Sequence, residues 1–224
     1  MAMGAPTAML IETAALLTLA QWLSPAYPVG AFSYSHGLET AITDGSVADA
    51  ESLCLWVSEV LQHGSGRSDA ILLAASYGCD DPDAVAEIDA LCRAFAPARE
   101  RLIETDLQGA AFARTTAAIW GDEIPALCYP VAVGCAARLQ GLPLELTSAM
   151  FLQAFASNLI SAAMRLIPLG QTEGQRVIRR LCPICRDIAG ATQPGDLADL
   201  SGTAFLAEIA AMRHETQHVR IFRT

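Results

Sequence analysis

The chain has 224 residues, 53% of them hydrophobic and 17% charged, with a formal net charge of −10, a length that suits one domain burying a contiguous core. The acidic balance, with an isoelectric point near 4.7, lacks the basic footprint that phosphate backbones require and excludes nucleic acid as a partner class. All 14 basic residues are Arg and none is Lys, which excludes a Walker-type phosphate loop and Schiff-base chemistry, because both depend on the lysine amine.

The first basic side chain is Arg67, so residues 1–66 carry six acidic groups and no Arg or Lys. A secretory signal needs a basic start before its apolar run, whereas here Glu12 interrupts that run; the expectation is a soluble, cytoplasmic chain. Between the first two apolar runs lies Ser24 to His36, an elbow rich in Pro, Gly and aromatics. Pro25 and Pro28 hold an extended approach, Gly30 permits a conformation closed to other residues, and Ser33 is placed to cap a helix beginning at Tyr34. A surface turn gains nothing from Tyr27, Phe32 and Tyr34, whose rings must be buried or covered by a partner. The elbow therefore suits either a packed helix corner or a docking element.

Ser46 with Asp49 marks the next helix start, and Leu53, Val57, Val60 and Leu61 line one face after it. Asp80-Asp81-Pro82 opens another helix with cap and first-turn proline in order. A run from Pro97 to Trp120 ends at Gly121, and its charges (Arg99, Glu100, Arg101, Glu104, Asp106, Arg114) suggest the longest exposed helix. Tyr129 to Leu139 reads as a central buried helix and Leu144 to Leu166 as its companion, stopped by Pro168. Polar residues punctuate the apolar stretch Met150 to Ile167, so it is expected to be a buried amphipathic helix rather than a membrane span. Glu173 to Ile188 carries a basic stripe of Arg176, Arg179, Arg180 and Arg186. Gly190 to Gly195 reads as a linker, Thr203 to about Thr216 as the last helix, and Gln217 to Thr224 as a tail with few core-forming residues. Alternating strand patterns are absent, so the expected fold is all-α: a single-domain bundle of about nine or ten helices over residues 1–224.

Two short patterns carry possible metal chemistry. His214-Glu215-Thr216-Gln217-His218 matches H-E-x-x-H, in which two histidines on one helical face bind zinc and the Glu is a general base; a metal-dependent hydrolase is thus the rival function. That site needs a third ligand, usually downstream, and residues 219–224 offer no His, Cys, Asp or Glu. Cys182-Pro183-Ile184-Cys185 has redox or half-ribbon spacing, but no second pair completes it and Pro183 suggests a helix kink with the thiols in the core. Seven cysteines scattered over helical segments fit reduced buried thiols better than a disulfide framework. The tail itself, residues 213–224, mixes Arg213, Arg220 and Arg223 with Ile221 and Phe222, an ending that suits a soluble domain only if something covers it. The positive mean hydropathy of +0.35 likewise predicts an extensive protein interface.

The segment Ser24 to Glu39 resembles the N-terminal motif of the UreF family of urease accessory proteins. Arg165-Leu166-Ile167-Pro168-Leu169-Gly170-Gln171 is similar to that family's second motif, and Met212-Arg213-His214-Glu215-Thr216-Gln217 to its C-terminal signature. The resemblance implies a non-enzymatic assembly factor that serves nickel insertion into apo-urease and regulates the GTPase UreG. It would act as a homodimer in complex with UreD, also called UreH. It holds no stable cofactor, nickel being cargo of the wider complex. His218 stands where the family commonly has an aromatic residue. The positions that the resemblance and the chemistry together mark for partner binding are Pro28, Gly30, Phe32, Tyr34, His36, Glu39, Arg165, Gln171, Arg213, His214, Glu215, Arg220, Phe222 and Arg223.

Overall fold

The computed structural model describes residues 13–224; the expectation drawn from Glu12 lies outside them. The described residues contain ten α-helices and two short 3₁₀ turns and include no strand. In chain order these are α1 (Thr13–Trp22), α2 (Leu38–Thr43), α3 (Ala50–His63), α4 (Ser65–Tyr77), α5 (Pro82–Ala94), α6 (Arg99–Trp120), α7 (Tyr129–Leu139), α8 (Leu144–Leu166), α9 (Gln171–Ala191) and α10 (Phe205–His214).

Local chemistry sets most of the boundaries. Asp49 caps α3 through a capping box with Ser52, so the cap is Asp49 itself and Ser46 precedes it. Pro82 sits in the first turn of α5 behind the Asp81 cap. Gly121, left-handed at φ 84°, ends α6. The largely buried α7 pairs closely with α4 and α6, and α8 with α9, α4 and α2. Although α8 is long and apolar enough to cross a membrane by composition, its buried face includes Phe151, Leu152, Leu159 and Ile160 at the centre of the hydrophobic core. Trp22 anchors α1 into that core, edge-on to Phe112 at 5.3 Å and to Trp120 at 5.5 Å.

Several expectations are corrected. No helix starts at Tyr34: Ala31–Ser33 is a 3₁₀ turn and α2 begins only at Leu38, because Gly30, His36 and Gly37 all adopt left-handed backbone that interrupts a helix. Gly190 and Ala191 belong to α9 rather than to a linker, and α10 is shorter than expected, at Phe205–His214. Nor is α6 an exposed helix, since Arg101 and Glu104 are buried. Pro183 lies inside α9, with Cys185 buried but Cys182 exposed, so only one thiol of that pair serves the core. The four arginines of α9 are exposed, and Arg180 pairs with Glu51 of α3.

Candidate functional site

The elbow is built by two left-handed steps. At Gly30 (φ 75°) a Cβ would meet nothing within 4 Å, so the glycine serves the dihedral alone. At Gly37 (φ 75°) a Cβ would stand 2.5 Å from the Ala211 backbone nitrogen, so this glycine also lets α10 approach α2. Between them His36 holds φ 54°, an unfavourable angle for a residue with a side chain, which persists only where its surroundings fix it.

Those surroundings are the C-terminal segment and α6. The Ser35 N–H donates to the Thr224 main-chain oxygen at 3.0 Å, and the Ser35 hydroxyl donates to the same oxygen. His36 N–H donates to Thr224 Oγ1 at 3.2 Å, and Arg223 N–H donates to the Ser33 carbonyl at 2.9 Å. The Thr224 hydroxyl in turn donates to Glu104 Oε2 at 3.3 Å. The His36 ring, edge-on to Phe155 at 4.6 Å, places Nε2 2.8 Å from Glu104 Oε1 and 3.1 Å from Arg101 Nη1. Burial, then the Arg101 charge, keeps His36 below the ordinary imidazole range against the opposing pull of Glu104. Burial pushes the Glu104 carboxyl up, but the Arg101 charge and His36 outweigh it and hold the group at about 2. Arg101 Nη1 lies 2.5 Å from Glu104 Oε2, and Asp69 of α4 is 3.9 Å from Arg101 Nη2.

A second cluster closes beside it. Glu39, buried on α2, accepts the Ile221 N–H at 2.7 Å, the Phe222 N–H at 2.9 Å and a contact from His214 Nε2 at 3.2 Å. His214 is fully buried, and its Nδ1 lies 2.7 Å from Glu100 Oε2, while Glu100 also pairs with Arg220. Glu215 accepts the Arg99 N–H at 2.7 Å at the start of α6.

These contacts overturn the zinc pattern and part of the picture of the tail. Both ring nitrogens of His214 face carboxylates, and His218 is exposed four residues beyond the end of α10, so the two histidines share no helical face. Phe222 and Thr224 are buried, so the segment after α10 is folded onto the elbow rather than left for a partner to cover. Tyr34, His36, Glu39 and His214 are likewise interior. Burial, then Glu104, raises the Tyr34 hydroxyl, with Arg223 pulling the other way.

What remains at the surface around the elbow is a small patch centred on Phe32 and Arg165. Phe32 is 59% exposed, and its carbonyl accepts a bond from Arg165 Nη1 at 3.2 Å. The Arg165 guanidinium lies 5.6 Å from the Phe222 ring centroid. Pro28, Arg213, Glu215, Ile221 and Arg223 are exposed, whereas Gln171 stands exposed at the first turn of α9 with no hydrogen bond to this patch among the described residues. A cleft of about 130 Å³ opens beside it, lined by Tyr27, Tyr34, Phe155 and Asn158 and floored by the His36, Arg101 and Glu104 cluster. Sequence reasoning missed Ser35, Asp69, Arg101, Glu104 and Thr224 as site residues; the one available signal was the concentration of charge on an otherwise apolar α6.

A family profile described as UreF matches residues 47–182. The chain is 54% identical over 215 residues to the urease accessory protein UreF of Roseobacter denitrificans, covering 96% of each. It is 51% identical over 209 residues to the urease accessory protein UreF of Ruegeria pomeroyi, covering 93% of this chain and 96% of the relative. Against the urease accessory protein UreF of Ruegeria sp. strain TM1040 the figures are 56% over 210 residues, covering 94% and 98%.

Proposed function

The chain belongs to the UreF family of urease accessory proteins, and from that premise we propose that it is a non-catalytic factor of urease maturation acting in the cytoplasm. As a homodimer it joins UreD, also called UreH, and the GTPase UreG in a complex on apo-urease, and it biases the GTPase toward the state that delivers nickel. A scaffold shifts a partner's equilibrium only through differential affinity for its states, so the bias it imposes on the GTPase equals the difference in binding between them. Nickel is cargo of that complex rather than a resident cofactor of this chain.

The observation that supports this reading most is convergence. The elbow, the Arg165 segment and the C-terminal segment are far apart in sequence yet meet at Phe32, Arg165 and Arg223. An exposed aromatic beside arginines has the composition of an interface anchor. The test is co-purification of the chain with UreD and UreG, with and without GTP and nickel. Retention of both partners by the natural chain and loss on Phe32→Asp supports the reading, and equal retention by both forms refutes the patch.

A further inference from the structure

Asp69 is a half-buried carboxyl that the two clusters leave incompletely compensated. Its nearest cation is Arg101, 3.9 Å from Nη2, but Nη1 of that guanidinium is engaged by Glu104 at 2.5 Å and by His36 at 3.1 Å. The groups facing Asp69 are Arg101 and Glu104 from α6, His36 from the elbow and Cys92 from α5, with Glu208 of α10 across a smaller cleft of about 40 Å³. Its side chain keeps 15% of its surface open and lines both clefts, which gives protons a route to it. Burial, opposed by Arg101 and assisted by Glu104, raises the carboxyl to about 7.

We propose that Asp69 is a proton-operated switch: on ionising it competes with Glu104 and His36 for Arg101, and through Glu104 it loosens the hold on Thr224 and the C-terminal segment. The route is continuous in the structure, from Asp69 to Arg101, to Glu104, to the Thr224 hydroxyl and to the strained His36 backbone. The arrangement that shares Arg101 least is the one with Asp69 protonated. Its favourable contribution is therefore complete at low pH and is lost as pH rises through about 7. This inference concerns the chain alone and does not depend on which partners it meets.

The test is amide hydrogen exchange of the full chain between pH 6 and 8, corrected for intrinsic exchange, followed in peptides covering residues 215–224. Protection should fall by up to about tenfold across that window, one decade between pH 6 and the folded value of about 7 for one coupled proton, and Asp69→Asn should abolish the fall. Carboxyl carbon chemical shifts of the natural chain supply a readout that needs no variant. An Asp69 titration in the ordinary carboxylate range overturns the proposal. So does protection that is constant with pH, or a pH dependence that survives Asp69→Asn and so belongs to another group.

Discussion

Glu39 Oε2 accepts the Phe222 backbone N–H at 2.9 Å, joining the second helix to the C-terminal segment across 183 residues of sequence. Because the same carboxylate takes the Ile221 N–H and faces His214, it does for this segment what a strand partner does for an edge. Removing it leaves two buried or half-buried amides without an acceptor. Glu39→Ala should destabilise the protein by about 3 kcal/mol, on the scale of lost hydrogen bonds to a charged group. Urea denaturation measures the loss, and a change under about 0.5 kcal/mol would show that the segment is not held this way. Glu39 is 5% exposed, so the contacts that the structure gives it are interior ones.

The two elbow glycines should behave differently when given a methyl group. Gly30→Ala meets open space and costs only the left-handed backbone, about 1 to 2 kcal/mol. Gly37→Ala adds to that cost a clash with the α10 backbone at Ala211, which a main chain cannot relieve by a rotamer change. We expect a loss well above 2 kcal/mol for Gly37→Ala. Equal denaturation midpoints for the two variants would mean that α10 shifts freely, contrary to the packing described.

Glu104 ties stability to acid. Its ordinary value is 4.5 and its folded value about 2, the Arg101 charge and His36 overcoming the upward push of burial. A depressed carboxyl stabilises fully above its unfolded value and loses that contribution as pH falls toward its folded value. The window is therefore about pH 4.5 down to about 2, and the contribution is about 3 kcal/mol. Glu104→Gln should lower stability at pH 7 and flatten the decline below pH 4.5. An acid limb as steep in the variant as in the natural chain would place the effect elsewhere.

Helix positions were legible where punctuation was strong: α7 and α8 fall at Tyr129–Leu139 and Leu144–Leu166, as the spacing of apolar residues between Gly121, Pro143 and Pro168 implies. The site was legible as three motifs but not as an arrangement. Charges on α6 look like a solvated face until their partners are known, and those partners lie far away: His36 is 68 residues from Glu104 and Thr224 is 120. The C-terminal segment likewise lacks periodicity, because it is fastened by single residues, Phe222 and Thr224, rather than by a repeating apolar face. Left-handed backbone at His36 has no sequence signature, since the strain is repaid by contacts that only the folded chain supplies.

Phe32 separates docking from folding. It is exposed in a 3₁₀ turn, and what links it to the rest of the patch is its carbonyl, which a side-chain change leaves in place. Phe32→Ser should therefore alter stability by no more than about 0.5 kcal/mol, as surface substitutions do. Its neighbour Tyr34 is 4% exposed, and Tyr34→Ala should cost about 3 kcal/mol through lost packing. If the patch docks UreD or UreG, Phe32→Ser abolishes co-purification and urease activation while its denaturation curve overlays that of the natural chain. Tyr34→Ala then loses activation only in proportion to the fraction unfolded. Should Phe32→Ser retain both partners, or should activation follow stability across both variants, the elbow is a packed corner and the partner contact must be sought on another face.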